Sequence, residues 1–243
     1  LQRCRRRMLS HPHEAWPERL YRTLGAWRGF VDARGPAIAG EGLQLEPLGH
    51  QHLADFAWQY HDPQIAALCC LPRFADDAQW HAWLERCWRY GDQRLYAVLH
   101  PEWGFVGSVS LIECTVGQAR VGFFYYWLGA DFQGRGLGPR AVRLLLAHAR
   151  ATRGLRSCHA KVFDHNRHSR RALETLGFRA LPVRGIPPFD GETFYRLALD
   201  READVEPAQA VEELRLLLDA MDAETRLAAP LTARGAQARA QAA

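Results

Sequence analysis

Residues 133–138 read Gln133-Gly134-Arg135-Gly136-Leu137-Gly138, between an apolar run and a stretch with helical periodicity. Glycine lets a backbone turn tightly and approach a ligand with no Cβ in the way. Unpaired N–H groups ahead of a helix, together with the positive end of its dipole, form an anion site that suits a pyrophosphate. The loop is not a Walker motif, because Gly-Lys-Ser/Thr is missing. It is not the dinucleotide motif either: the spacing is G-x-G-x-G, and no acidic residue stands where a ribose would need one. What remains is Gln-x-x-Gly-x-Gly. His165 and His168 have no partner cluster, and the six cysteines show neither C-x-x-C nor zinc spacing, so no metal is expected.

The elements that must position this loop follow from periodicity. Leu43, Leu45 and Leu48 alternate with Gln44 and Glu46 as in a strand, and residues 50–60 read as a helix stopped near Asp62-Pro63. Asp76 or Asp77 caps a second helix running to Tyr90, with Trp80, Trp83, Leu84, Cys87 and Trp88 on one face. Residues 95–99 and 105–114 form a hairpin, and 121–128, apolar on both faces, is a central strand. After the glycine loop come a helix over 139–150 with Pro139 first, a strand over 158–163 and a helix over 169–176 closed by Gly177. Strands over 178–183 and 194–199 complete a mixed α/β domain of residues 41–200.

Residues 1–40 form an N-terminal extension with a weak helix over 18–30. Residues 201–243 hold a helix begun by Pro207, then a disordered Ala/Arg-rich tail. The apolar stripe of that helix, Val211, Leu214, Leu217, Leu218 and Met221, either docks on the domain or pairs with a second subunit in a homodimer.

Composition narrows the classes. The 243 residues are 48% hydrophobic, with Lys+Arg 31 against Asp+Glu 27, a net charge of +4. That excludes a disordered chain. A net +4 spread over the whole chain, with no RNA or DNA motif, makes nucleic acid an unexpected partner. No apolar run reaches the roughly 20 residues of a membrane helix. The basic start at Arg3, Arg5, Arg6 and Arg7 leads into His11, Pro12 and His13 rather than a secretory h-region, so a cytoplasmic protein without a membrane partner is expected.

Four segments in order, Tyr126-Trp127-Leu128, the loop 133–138, Asn166-Arg167-His168-Ser169, and Leu173-Glu174-Thr175-Leu176-Gly177-Phe178, resemble the GNAT superfamily of N-acetyltransferases. The Y-W-L and N-x-x-S details are closest to the Rim-type (ribosomal-protein N-terminal) enzymes. The resemblance implies a single mixed, mostly antiparallel sheet flanked by helices. It also implies direct transfer of an acetyl group from acetyl-CoA, as co-substrate, to a primary amine. The acceptor is a protein N-terminus or a small amine such as a drug or polyamine; a CoA-binding interaction protein with weak catalysis is the alternative.

By the same resemblance, Tyr126, Trp127 and Leu128 bind pantetheine and polarise the thioester through backbone groups, and Gln133 to Gly138 hold the diphosphate. Asn166 is a pantetheine or acceptor-side partner, or simply a helix cap. Many family members place a tyrosine seven residues after this Asn to protonate the departing thiolate. Here the position is Leu173, and the resemblance transfers the role to Ser169. The general base is Glu113 on the strand beside the cofactor strand, or Glu192 at the last hairpin. The tryptophan stripe is core, with part of it lining the acceptor cleft as the alternative.

Overall fold

The computed structural model describes residues 36–69, 74–89, 93–223 and 225–228. The expectations for residues 1–35, for Tyr90 and for the tail beyond residue 230 lie outside the described residues.

Eight strands form one sheet: β1 (Ile38–Gly40), β2 (Leu43–Pro47), β3 (Gln93–His100), β4 (Gly104–Val116), β5 (Ala119–Leu128), β6 (Leu155–Phe163), β7 (Arg179–Ala180) and β8 (Glu192–Ala198). Their order is β1-β2-β3-β4-β5-β6-β8-β7, and every neighbouring pair is antiparallel except β5–β6. The helices are α1 (Leu53–Tyr60), α2 (Pro63–Leu68), α3 (Asp77–Arg89), α4 (Leu137–Arg153), α5 (Arg167–Thr175) and α6 (Pro207–Ala220).

Side chains alternate across each strand, so β5 serves two cores. Phe124 and Leu128 join the core under α4 and α5, with Val142, Leu145, Leu146 and Leu173. On the opposite face Trp127 packs with Phe56, Tyr60, Trp80 and Trp83 of α1 and α3. Further along that face, Val121 and Phe123 meet Val211, Leu214, Leu217 and Leu218 of α6. The stripe on α6 therefore docks on the sheet of its own chain.

Local chemistry sets the helix ends. Asp76 Oδ1 accepts from Gln79 N–H at 2.8 Å and so caps α3. Asp62 Oδ1 accepts from Gln64 N–H at 2.8 Å. With Pro63 at the first position it starts α2, where the sequence had suggested only a stop. Helix α4 begins two residues before expectation, so Pro139 is its third residue and not its first. No helical bond is lost, because amides of the first turn have no intrahelical acceptor. Helix α5 ends as expected: Gly177 has φ +90°, its N–H reaches Glu174 O at 3.0 Å, and Phe178 N–H reaches Leu173 O at 3.0 Å. The strand expected over 178–183 contracts to β7, and Leu181 and Val183 turn into the α6 core.

Candidate active site

Strands β5 and β6 pair only from Arg120↔Leu155 to Phe123↔His159. Beyond that point they part. Strand β5 continues against β4 to Gly107↔Leu128, and β6 continues against β8 to Phe163↔Glu192. The result is a V-shaped opening through the sheet with backbone groups on its rim.

Which groups face the opening follows from antiparallel alternation. Gly129 N–H donates to Val106 O at 3.0 Å, so residues 127 and 125 also exchange their backbone bonds with β4. The backbone groups of Tyr126 and Leu128 then point into the gap. Tyr126 and Trp127 both line the cleft; the backbone of Trp127 faces β4, and its indole also packs in the core. One orphan is already filled, since Gln133 Nε2 donates to Leu128 O at 3.2 Å.

A cleft of ≈ 620 Å³ runs through this opening. On the α4/α5 side it is lined by Tyr126, Ala160, Ser169 and Leu173; on the other side by Tyr125, Lys161, Glu192 and Met221. Trp83, from the tryptophan stripe, also reaches it. A donor entering from one face and an acceptor from the other would meet inside the sheet.

The glycine loop stands at the mouth. Gly134 and Gly136 have φ +71° and +72°, where L side chains are strained. Both are exposed, and a Cβ at either would meet no atom within 4 Å. The hollow is open, which fits an anion. Gly138 serves differently: a Cβ there would lie 2.7 Å from Tyr126 Cε2, so its bareness admits the tyrosine ring. Leu137 is 2% exposed, its side chain in the core and its amide at the helix start. Gln133 ties the loop to β5, and the Arg135 guanidinium lies 5.0 Å from the centroid of Trp103 at the rim.

Asn166 caps α5, its Oδ1 accepting from Ser169 N–H at 3.1 Å, and it also borders the cleft. The side chains of Ser169 and Tyr126 both border the cleft. Burial raises the Tyr126 phenol above its ordinary value, so it stays protonated at neutral pH.

The carboxylates separate. Glu113 is not brought to the site. It pairs with Gly122, on the closed side of the strand junction. Arg153, Arg94 and Arg120 enclose it at 2.7, 3.1 and 3.6 Å. A carboxylate so held is a structural hub and has no approach to an acceptor. Glu192 does line the cleft, 4% exposed, with both oxygens within 3.0 Å of Lys161 Nζ. Lys161 is the chain's one lysine, and its ammonium sits 5.3 Å from the centroid of the Phe189 ring. Sequence spacing carried no sign of this pair, which is made by β6–β8 register.

An antiparallel-to-parallel sheet opened beside a glycine loop defines an acyl-CoA-dependent acetyltransferase class, and comparison with known proteins agrees. A family model described as Acetyltransferase (GNAT) domain matches residues 43–179, and the chain belongs to that family. It is an acyl-CoA-dependent N-acetyltransferase. No curated protein matches the sequence. Among solved structures, the chain is similar to a ribosomal-protein-S5-alanine acetyltransferase from Vibrio fischeri, at 18% identity and TM-score 0.58, over 69% of this chain and 98% of that one. It is similar to the microcin C7 self-immunity acetyltransferase MccE with acetyl-CoA and AMP, at 16% identity and TM-score 0.58, over 69% and 99%. It also resembles Mycobacterium smegmatis RimJ with CoA-disulfide, at 19% identity and TM-score 0.57, over 74% and 93%. Among the described residues no helix is long and apolar enough to cross a membrane.

Proposed function

We propose that this chain moves the acetyl group of acetyl-CoA directly to the α-amine of a peptide or protein N-terminus. The amides of residues 134–138, Pro139 contributing none, hold the diphosphate. The gap-facing backbone of Tyr126 and Leu128 carries the pantetheine arm and polarises the thioester carbonyl. Ser169 gives a proton to the departing thiolate.

One observation supports the choice of amine above the rest. The cleft's carboxylate, Glu192, is bound on both oxygens by Lys161, so among the described residues a strong free base is missing where the acceptor would lie. An α-amine with pKa near 8 is about one-tenth neutral at pH 7, whereas a lysine near 10.4 is neutral in under about one molecule in a thousand. A site short of a base favours the former. The name of the Vibrio protein, an acetyltransferase of a ribosomal-protein alanine, points the same way.

Peptides with a free N-terminus and blocked lysine, the reverse, and small amines including a polyamine form the test, read as CoA thiol release. Transfer to the α-amine is expected to exceed transfer to the lysine side chain at least tenfold. Its kcat/KM should rise about tenfold per pH unit until near pH 8, where the amine is deprotonated. Preference for lysine or for a polyamine would overturn the reading.

A further inference from the structure

The acceptor half of the cleft has an apolar wall made by Tyr125, Pro188, Phe189, Leu218 and Met221. Among the described lining residues, Lys161 and Glu192 alone carry a charge. Antiparallel register brings them together. Lys161 lies opposite Phe194 and Glu192 opposite Phe163, so the two are diagonal neighbours on one face of the sheet. Glu192 Oε1 and Oε2 accept from Lys161 Nζ at 3.0 and 2.9 Å, and the Phe189 ring stands over the ammonium with its centroid at 5.3 Å. The Lys161 side chain is 11% exposed, so water does little to replace either partner. Each charge answers the other, and the pair offers an acceptor no net charge.

We infer that Lys161 is a specificity-determining residue: by holding Glu192 it keeps the acceptor half of the cleft neutral, so the enzyme selects N-termini whose first side chain is uncharged and rejects acceptors that bring a second charge. The inference deepens the α-amine reading given above and rests on it. A second ammonium or a carboxylate pressed against this wall loses its water and finds no counter-charge free to answer it. An uncharged first residue meets no such cost, and an apolar one gains by burial against Phe189 and Met221. Without Lys161 the same cleft has the opposite preference. Glu192 then stands unpaired in it, attracting a cationic side chain or a polyamine and repelling an acidic one. Lys161 thus separates peptide acceptors from polyamines without touching the reacting atoms.

The test measures kcat/KM, as CoA thiol release from acetyl-CoA, for three peptides alike except for a first residue of leucine, arginine or aspartate, with any later lysine blocked. A monoamine and a polyamine are assayed beside them. The proteins are wild type, Lys161→Met, Glu192→Gln and the double variant, each with its melting temperature. Wild type is expected to favour the leucine peptide at least tenfold over both charged ones. Lys161→Met should raise the arginine peptide relative to the leucine peptide, and the polyamine relative to the monoamine, at least tenfold. Glu192→Gln should do the same for the aspartate peptide, and the double variant, neutral again, should return to the wild-type order. A ratio within threefold of wild type in either folded single variant overturns the inference, as does a wild type indifferent to the charge of the first residue. An equal loss for all acceptors marks the pair as structural and overturns it too. If Lys161→Met does not fold, the aspartate peptide with Glu192→Gln decides. If wild type acetylates no peptide but does acetylate a small amine, the α-amine reading fails, and the polyamine-to-monoamine ratio in the same proteins still decides the role of Lys161.

Discussion

Removing the charge of Glu113 while keeping its shape would leave Arg94, Arg120 and Arg153 facing one another around a neutral amide. Breaking a buried pair by deleting one partner is costly, and two of these arginines are a third or more exposed, which lessens the penalty. Glu113→Gln is expected to lower stability by about 2–3 kcal/mol in urea unfolding while kcat stays within threefold of wild type. A collapse of kcat with stability unchanged would restore it as the base. The contrast with the glycines explains what a sequence discloses at this scale. Gly134 and Gly136 are legible because positive φ is a local demand that glycine answers. The role of Glu113 is not, since Arg94 and Arg153 come to it from 19 and 40 residues away. Gly138→Ala offers a second check. The helix tolerates alanine, but the 2.7 Å approach to Tyr126 does not. Displacing the ring shifts β5 beside the cleft, so activity read as CoA thiol release is expected to fall at least tenfold with the loop's amides intact.

Among the elements, the turn from β2 into α1 depends on a histidine in one protonation state. His52 is 5% exposed; its Nδ1 accepts from Gly49 N–H at 3.1 Å, and its Nε2 lies 3.4 Å from Glu46. That accepting Nδ1 requires the neutral ring. Burial lowers the His52 pKa from 6.5 to about 4. The folded value lies below the unfolded one, so the unfolded chain takes up the proton first. Stability is therefore whole above pH 6.5 and declines as pH falls towards 4, by up to roughly 3 kcal/mol. Urea midpoints between pH 7 and 4 should show this slope, and His52→Gln should flatten it. Elements also differ in how openly the sequence states them. The long strands β4 and β5 and the amphipathic α3 follow from periodicity. Strand β1, three residues long, exists through its pairing with β2, and α2 was hidden because Pro63 marks both an end and a beginning. The backbone direction of Trp127 follows from the β4 register, a long-range property that no local pattern carries.

For the molecule as a whole, α6 links stability to the acceptor side of the cleft. It lies beyond residues 43–179 that match the family, yet Leu218 and Met221 beside it form part of the cleft wall. Apolar packing holds it, and one carboxylate pins it. Glu213 accepts from Ser157 Oγ at 2.8 Å and Arg196 Nε at 2.9 Å, and it meets His159 Nε2 at 2.7 Å, which joins α6 to β6 and β8. These partners lower the Glu213 pKa from 4.5 to about 2 against the opposing effect of burial. Its folded value is depressed, so the stabilisation is present above pH 4.5 and is lost as pH falls through about 2. Burial lowers the His159 pKa as well, and acid therefore weakens the junction from both sides. Glu213→Gln keeps the shape, removes the charge beside Arg196, and is expected to lower stability by about 2–4 kcal/mol. Because the wall moves while the glycine loop does not, the KM for the amine acceptor should rise severalfold at unchanged CoA affinity. Equal losses in both affinities would mean that α6 supports the fold alone and does not shape the acceptor's half of the cleft.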